Sequence, residues 1–546
     1  MKPIELNSRY KGWKVTLLFT VIAHLFYAPA WQAGMVGDFT GLLWRLENAP
    51  WYGFLWSYSF PAVQPLLNAG YCLIFNLFGL HTPGWYLVFT SLHIWNAWLV
   101  FQLMEQLQER FSLRLPAWAG VGAGLVFLLS PYQSEVVVYK VCLSYLLTSA
   151  LMLNILIHLT QQRSPVRFGW ILALSAAACL VFEYGLLIPF MVLGLRSAFW
   201  RSGVEARWKS WWLPALFALV PVYFLLNRLM LGVWIGHYGA GTHLNIQPLT
   251  MLGTLWKYSA KHLLFLRYLD NPIKEQLFNY FDRPVLVGVL TLLFLAGLFW
   301  TWYRKYRSGL VIGLLLFWAV LPLAMVSNIF FSWLEWGYND RYGYLPTAFG
   351  AAAGVWVLSK LPSRLGLSFL GLWLLTAGYW LYQTNQRWRE SAAVMRGLVE
   401  GFHWENAPEL YILSSPDNYR GLYMMPDNDA VSGVRDALYY LGGKKVTGEW
   451  HQIAQFNMGE PGQGTRVQLD SAGHLRVVFN QWGNWWWRAN RGASDFEKEG
   501  YTVRFQGHFY DLHFKKAPHP EAVFIYQNGA VWEELTGTRR DTLFGK

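Results

Sequence analysis

The sequence predicts an all-α polytopic membrane domain of about 11 transmembrane helices over residues 1–385, followed by a small α/β, β-rich soluble domain over residues 386–546. Three observations predict it. Only 14% of the 546 residues are charged while 54% are hydrophobic, whereas soluble domains average about 25% charged. Apolar runs near the ~20 residues that a bilayer crossing needs recur through the first 385 positions. From about Asn385 the runs stop, and short alternating segments separated by Gly, Asp and Pro take over.

The apolar segments fall near 13–32, 84–105, 117–131, 141–160, 168–181, 183–198, 211–230, 284–303, 309–326, 342–360 and 365–383. The first lacks a small-residue cleavage site and is long enough to span, so it reads as a retained helix rather than a signal peptide. Basic residues sit on alternate loops. One set holds Lys2, Arg9, Lys11 and Lys14, then Arg110 and Arg114, Arg163 and Arg167, Arg196 to Lys209, Arg304 to Arg307, and Lys360 with Arg364. The opposite loops are longer and poorer in Lys and Arg. The positive-inside rule therefore places the N-terminus in the cytoplasm, and an odd number of spans places residues 386–546 outside. The net charge of +12 is a topology signal on this distribution and not a nucleic-acid footprint. Aromatic belts at the interfaces account for much of the 18% aromatic content.

Residues 59–80 resemble a further span, but Pro61, Gln64, Pro65, Asn68 and Asn76 interrupt them. A crossing there would invert every later loop, so the segment reads as an interfacial helix within a long first external loop, residues 33–83. A second long external loop covers about 231–283. In the tail, LYILSS reads as a buried strand, PDNYRG as a loop and DAVSGVRDALYYLGG as a helix. RVQLD, HLRVVFN, YTVRFQG, YDLHFKK and AVFIYQNG read as strands. The three cysteines, Cys72, Cys142 and Cys179, lie in apolar segments and form no disulfide framework.

Candidate chemistry sits at the external loops. Asp38, in GMVGDFTG, follows the first span among Gly34, Gly37 and Gly41, which allow close backbone approach. A carboxylate there suits a general base toward an acceptor hydroxyl, or a helix cap. Glu135 and Lys140 share SPYQSEVVVYK and suit either a site or an interfacial ion pair. Glu183 interrupts CLVFEYGLLIP, and an ionisable group at membrane depth is a functional candidate. Arg341, with Tyr342, opens the penultimate span in NDRYGYLP, where a guanidinium can take phosphate oxygens bidentately or pair with Asp340. Lys257, Lys261 and Arg267 add donors from the second long loop, with Lys257 and Lys261 four apart on one helical face. No P-loop, GxGxxG after a strand, HExxH or CxxC occurs, which argues against a soluble-nucleotide enzyme or a zinc protease.

These motifs, in this order, resemble the GT-C superfamily of membrane glycosyltransferases, and most nearly the transmembrane O-mannosyltransferase-like and lipid A aminoarabinose transferase-like proteins. The likeness covers about residues 10–390. It rests on Asp38 at the first external loop, the stretch from Gln64 to Phe101, SPYQSEVVVYK and NDRYGYLPTAFG. The resemblance implies a sugar donor carried on polyprenyl phosphate, with Asp38 as the catalytic carboxylate and Arg341 on the carrier phosphate. Departures are specific. Gly37 stands where many relatives have a second acid, Gln64 replaces an Arg of the Tyr-Arg-Pro-Leu stretch, and Ser130 replaces the His before Pro131. Lys140 or the 257–267 cluster would then share the phosphate.

The expected activity is glycosyl transfer from a polyprenyl-phosphate carrier to a protein, lipid or glycan acceptor at the external, periplasmic face of the cytoplasmic membrane. No cofactor is firmly implied. A divalent metal is compatible, although one carboxylate makes a poor site for it. The alternative is a non-enzymatic transporter or envelope-assembly protein with an external partner-binding domain. Such a protein would carry polar residues near mid-membrane, whereas here they gather at the external loops.

Overall fold

The computed structural model describes residues 8–49, 51–56, 62–161, 167–205, 209, 211–234, 247–264, 266, 269–327, 339–426, 433–469, 475–479, 495–506 and 509–535. Its internal contacts divide the chain into two compact units. The first holds Met1–Ala28, Ala49–Trp333 and Asn339–Asn385, and the second holds Pro29–Asn48, Leu334–Tyr338 and Gln386–Lys546.

The first unit is helical, because its long apolar runs satisfy their backbone groups internally only as helices once water is absent. Each of the eleven apolar segments contains helix. Among the described residues seven helices are long and apolar enough to cross a membrane, or eight if a bent pair counts as one span, so the protein is a multi-pass membrane protein. The remaining segments form helices that are short for a crossing by themselves. Ala119–Leu129 stops at Ser130-Pro131 and resumes at a 53° bend as Pro131–Val138; proline cannot donate into the helical ladder, which favours a break. Phe168–Val181 ends where Phe182 turns extended before Glu183. Tyr344–Leu358 has 15 residues. The last span, by contrast, continues well past the apolar run as Ser363–Glu400.

The interfacial segment forms helix Pro65–Phe78, whose 14 residues reach about 21 Å at 1.5 Å per residue, short of a ~30 Å hydrocarbon core. At the centre of the unit His93, Asn96 and Tyr344 are fully buried. The Tyr344 hydroxyl lies 2.8 Å from His93 Nδ1 and accepts from Asn96 Nδ2 at 3.1 Å.

The second unit is built on β-sheets. Strands β1 (Glu409–Tyr419), β2 (Leu422–Tyr423), β3 (Glu449–Gln452), β4 (Gln455–Met458), β5 (Arg466–Leu469) and β6 (Leu475–Val478) come first. They are followed by β7 (Phe496–Glu497), β8 (Tyr501–Gln506), β9 (Phe509–Phe514), β10 (Val523–Asn528) and β11 (Val531–Glu534). One sheet runs β11-β10-β1-β2, with β3 and β4 pairing in parallel to successive halves of β1, and the other runs β5-β6-β9-β8-β7. The strands read from RVQLD, HLRVVFN, YTVRFQG, YDLHFKK and AVFIYQNG are β5, β6, β8, β9 and β10. The expected loop PDNYRG is a correction: β1 runs through Pro416, Asp417 and Asn418 and stays buried there. Register shifts flank it, between Ile412 and Ser414 toward β10 and between Pro416 and Asn418 toward β4, which lets a proline that cannot donate sit in a central strand. Helix Gly433–Gly442 lies between β2 and β3. The hydroxyl of Tyr510 on β9 donates to the Leu413 carbonyl of β1 at 2.6 Å, tying the two sheets.

Candidate functional site

In the helical unit, three elements distant in sequence bring four charged side chains together. After the break at Ser130-Pro131 comes the short helix Ser134–Val138, which carries Glu135. A 3-10 turn, Asp340–Gly343, opens helix Tyr344–Leu358 and carries Asp340, Arg341 and Tyr342. Helix Pro248–Leu263 carries Lys261 near its end. The turn is entered through Asn339 at φ 60°, a left-handed conformation that Asn tolerates better than most residues. It leaves through Gly343, where a Cβ would stand 2.2 Å from His262 Nδ1, so only glycine permits this approach of turn to helix.

Glu135 is fully buried and grips Arg341 twice. The Arg341 backbone N–H donates to Oε2 at 2.6 Å and its guanidinium to Oε1 at 2.5 Å. Beside it Lys261 Nζ meets the buried Asp340 Oδ1 at 2.9 Å. Arg341 and Asp340, adjacent in the chain, thus each meet a partner from another element. Around the four charges stand aromatic rings. Arg341 lies over Tyr342 at 5.1 Å, Tyr258 meets Tyr342 edge-on at 5.7 Å, and His262 stacks on Tyr258 and meets Tyr132 edge-on at 5.0 Å. A cavity of about 20 Å³ beside His262, lined also by Ser130, Thr347 and Trp373, is sized for about one water.

The other expected site residues take other partners. Lys140 is fully buried, donates to the Val137 carbonyl at 2.7 Å and rests 3.2 Å from the Tyr86 ring centroid. Lys257 pairs with the exposed Asp282 at 2.6 Å, so it and Lys261, four residues on, take different partners. Arg267 lies outside the described residues. Glu183 accepts from Gln64 Nε2 at 3.2 Å. Asp38 belongs to the second unit, where the Gly37 N–H donates to the Met424 carbonyl at 3.0 Å. It is half-buried and immediately precedes helix Phe39–Asn48. Its carbonyl accepts from Leu42 N, which is the N-cap position. Gly34 and Gly37 take φ of 71° and 68° to form that entry. His262 is one of the donors that the second long loop offers in the sequence, whereas Tyr132 and Tyr258 are not marked there as site residues. A signal existed in WKYSAKH, where Tyr258, Lys261 and His262 fall three and four apart on one helical face.

Among the described residues, no group of three His, Cys, Asp or Glu side chains with metal-ligand spacing includes Asp38; the one such group is Glu409, Glu449 and His451 in the second unit.

No protein-family model and no curated protein matches the sequence. Among solved structures, the chain is similar to the oligosaccharyltransferase of Archaeoglobus fulgidus in the apo form, at 13% identity and a TM-score of 0.40. That match covers 73% of this chain and 59% of that one, so the chain spans little more than half of the oligosaccharyltransferase. The same enzyme in complex with Zn and sulfate matches at 14% identity and a TM-score of 0.40, over 72% of this chain and 56% of that one. ArnT from Cupriavidus metallidurans bound to undecaprenyl phosphate matches at 15% identity and a TM-score of 0.35, over 82% of this chain and 86% of that one.

Proposed function

We propose that the protein is a membrane glycosyltransferase that moves a sugar from a polyprenyl-phosphate carrier to an acceptor at the external face of the cytoplasmic membrane, with its N-terminus cytoplasmic and residues 386–546 outside. The observation that carries this reading is the pairing of two cations, Arg341 and Lys261, with buried carboxylates on neighbouring elements of a membrane-spanning unit. A buried carboxylate holds each cation in one orientation, so little side-chain entropy remains to be lost when an anion arrives. The tyrosines and His262 around them supply flat faces and polar edges suited to a sugar phosphate.

In the proposed reaction the acceptor oxygen attacks the anomeric carbon and its proton passes to the Asp38 carboxylate. The bond from that carbon to the phosphate oxygen breaks, and its electron pair leaves with the phosphate. Arg341 and Lys261 stabilise the negative charge gained there, and charge stabilisation of this kind is usually the largest single contribution to such a step. Tyr342 borders the same cluster. Lys140 and Lys257 act through position in this scheme, held at the Val137 carbonyl and at Asp282, and Glu135 does so by orienting Arg341. No step is assigned to a metal.

The test is polyprenyl-phosphate binding and sugar release by the purified protein in detergent. Lys261→Ala is expected to weaken undecaprenyl-phosphate binding at least tenfold, the loss of one charge-assisted contact of roughly 1.5–3 kcal/mol. Asp38→Asn is expected to keep binding and lose turnover. Undiminished binding in Lys261→Ala would remove the phosphate role of the cluster, and undiminished turnover in Asp38→Asn would remove the base.

A further inference from the structure

Glu409, Glu449 and His451 of the β-rich unit have no part in that reaction. Glu409 begins β1, and β3 pairs with it in parallel so that Glu449 stands opposite Glu409 and His451 opposite Tyr411. Residues two apart on a strand share a face, so the three side chains converge on one side of the sheet. One ligand atom from each lies within 4.8 Å of the other two. His451 Nε2 is 3.2 Å from Glu409 Oε1 and 3.3 Å from Glu449 Oε1. Ligands held at about 2.0–2.2 Å around a tetrahedral zinc stand roughly 3.3 Å apart, so two edges of the triangle already have the length that coordination needs.

The surroundings orient these atoms. The Tyr411 hydroxyl donates to Glu409 Oε1 at 2.7 Å and the His519 backbone N–H to Oε2 at 2.7 Å. The His451 ring stacks on Tyr411 with centroids 4.4 Å apart. Partners of this kind fix ligand orientation at metal sites. Two carboxylates directly opposite on paired strands repel, and a divalent cation between them and a neutral imidazole removes the repulsion. The Glu449 side chain is 69% exposed, which leaves a path for entry.

We infer that Glu409, Glu449 and His451 bind a borderline divalent cation of the zinc type, with a fourth position open to water. The test uses the full-length protein in detergent, stripped with chelator and titrated with Zn²⁺ by calorimetry, with thermal unfolding as a second readout. Wild type is expected to bind one equivalent that His451→Ala loses. Glu449→Gln, an exposed position at which the fold is kept, is expected to bind it at least tenfold more weakly and to lose the Zn²⁺-dependent rise in Tm. Tyr411→Phe, which removes an orienting partner, is expected to weaken it about 10-fold or more. If wild type takes up no zinc, or if Glu449→Gln and His451→Ala keep its stoichiometry, affinity and Tm shift, the trio is an ion pair and not a metal site. These readouts do not depend on sugar transfer.

Discussion

Two regions of the molecule use the same charged groups in opposite surroundings. In the helical unit, Glu135 and Asp340 are fully buried and meet Arg341 and Lys261 at 2.5 and 2.9 Å. In the β-rich unit, Lys516–Glu499 at 2.6 Å and Arg504–Asp495 at 3.3 Å are about half exposed or more, and Lys515–Glu497 is also open to solvent. Contact length does not separate the two sets. Solvent does: an exposed pair trades one good environment for another and is screened by salt. A buried carboxylate has given up its hydration, and only its partner compensates it. The helical cluster is therefore the place where a single substitution unbalances a charge, and where a phosphate would find fixed cations.

The largest effect is expected from Arg341→Ala, which strands a buried carboxylate and should cost roughly 3–5 kcal/mol, read as thermal unfolding in detergent. The double change Glu135→Leu with Arg341→Met should recover most of that stability, since apolar replacement of a whole buried pair is often neutral or better. It should not recover polyprenyl-phosphate binding. A double variant as unstable as the single one would show that an unpaired buried charge is not the cause.

An intermediate effect is expected for an uncharged buried group. Tyr344→Phe leaves His93 and Asn96 without the hydroxyl they share, and should cost about 1–3 kcal/mol. A loss as large as that of Arg341→Ala would mean that burial alone, without net charge, sets the cost.

The smallest effect belongs to the surface pairs. The Lys515 ammonium, mainly through its hydrogen bond, holds the Glu497 carboxyl below its ordinary value. Whatever stability the pair contributes is then fully present above the ordinary carboxyl range, about 4.3, and is lost as pH falls through the lowered folded value. Lys515→Ala is expected to lower Tm only slightly near neutral pH, as for exposed pairs in general. That small difference from wild type should be largest near neutral pH in low salt, and should fade both in acid and in added salt. A salt-resistant loss at neutral pH would erase the contrast between the two regions.

Much of this was legible in the chain. Long apolar runs can satisfy their backbone groups in a bilayer only as helices, so residues in all eleven segments are helical whatever their neighbours. Period-two alternation marked β5, β6, β8, β9 and β10 for the same local reason. Pro65 and the polar interruptions around it marked a helix too short to cross. Arg341, Glu135 and Lys261 each stood out as charged groups in an apolar half.

What the sequence by itself determined, then, is whatever follows from near neighbours: which stretches are apolar, where prolines break them, and which residue types stand at the loops. Only the tertiary structure decided who meets whom. Glu135 and Arg341 lie 206 positions apart, and nothing local distinguishes Arg341's buried partner from the adjacent Asp340. Lys140 and Lys261 look alike in the chain, yet one is spent on a carbonyl and the Tyr86 ring while the other joins the charged cluster. Asp38 follows the first span in sequence and is gathered into the unit of the C-terminal strands by contacts such as that of Gly37 with Met424. The physical reason is common to all three: the strength of a charged contact depends on burial and on a partner's position, and both come from packing between elements far apart along the chain.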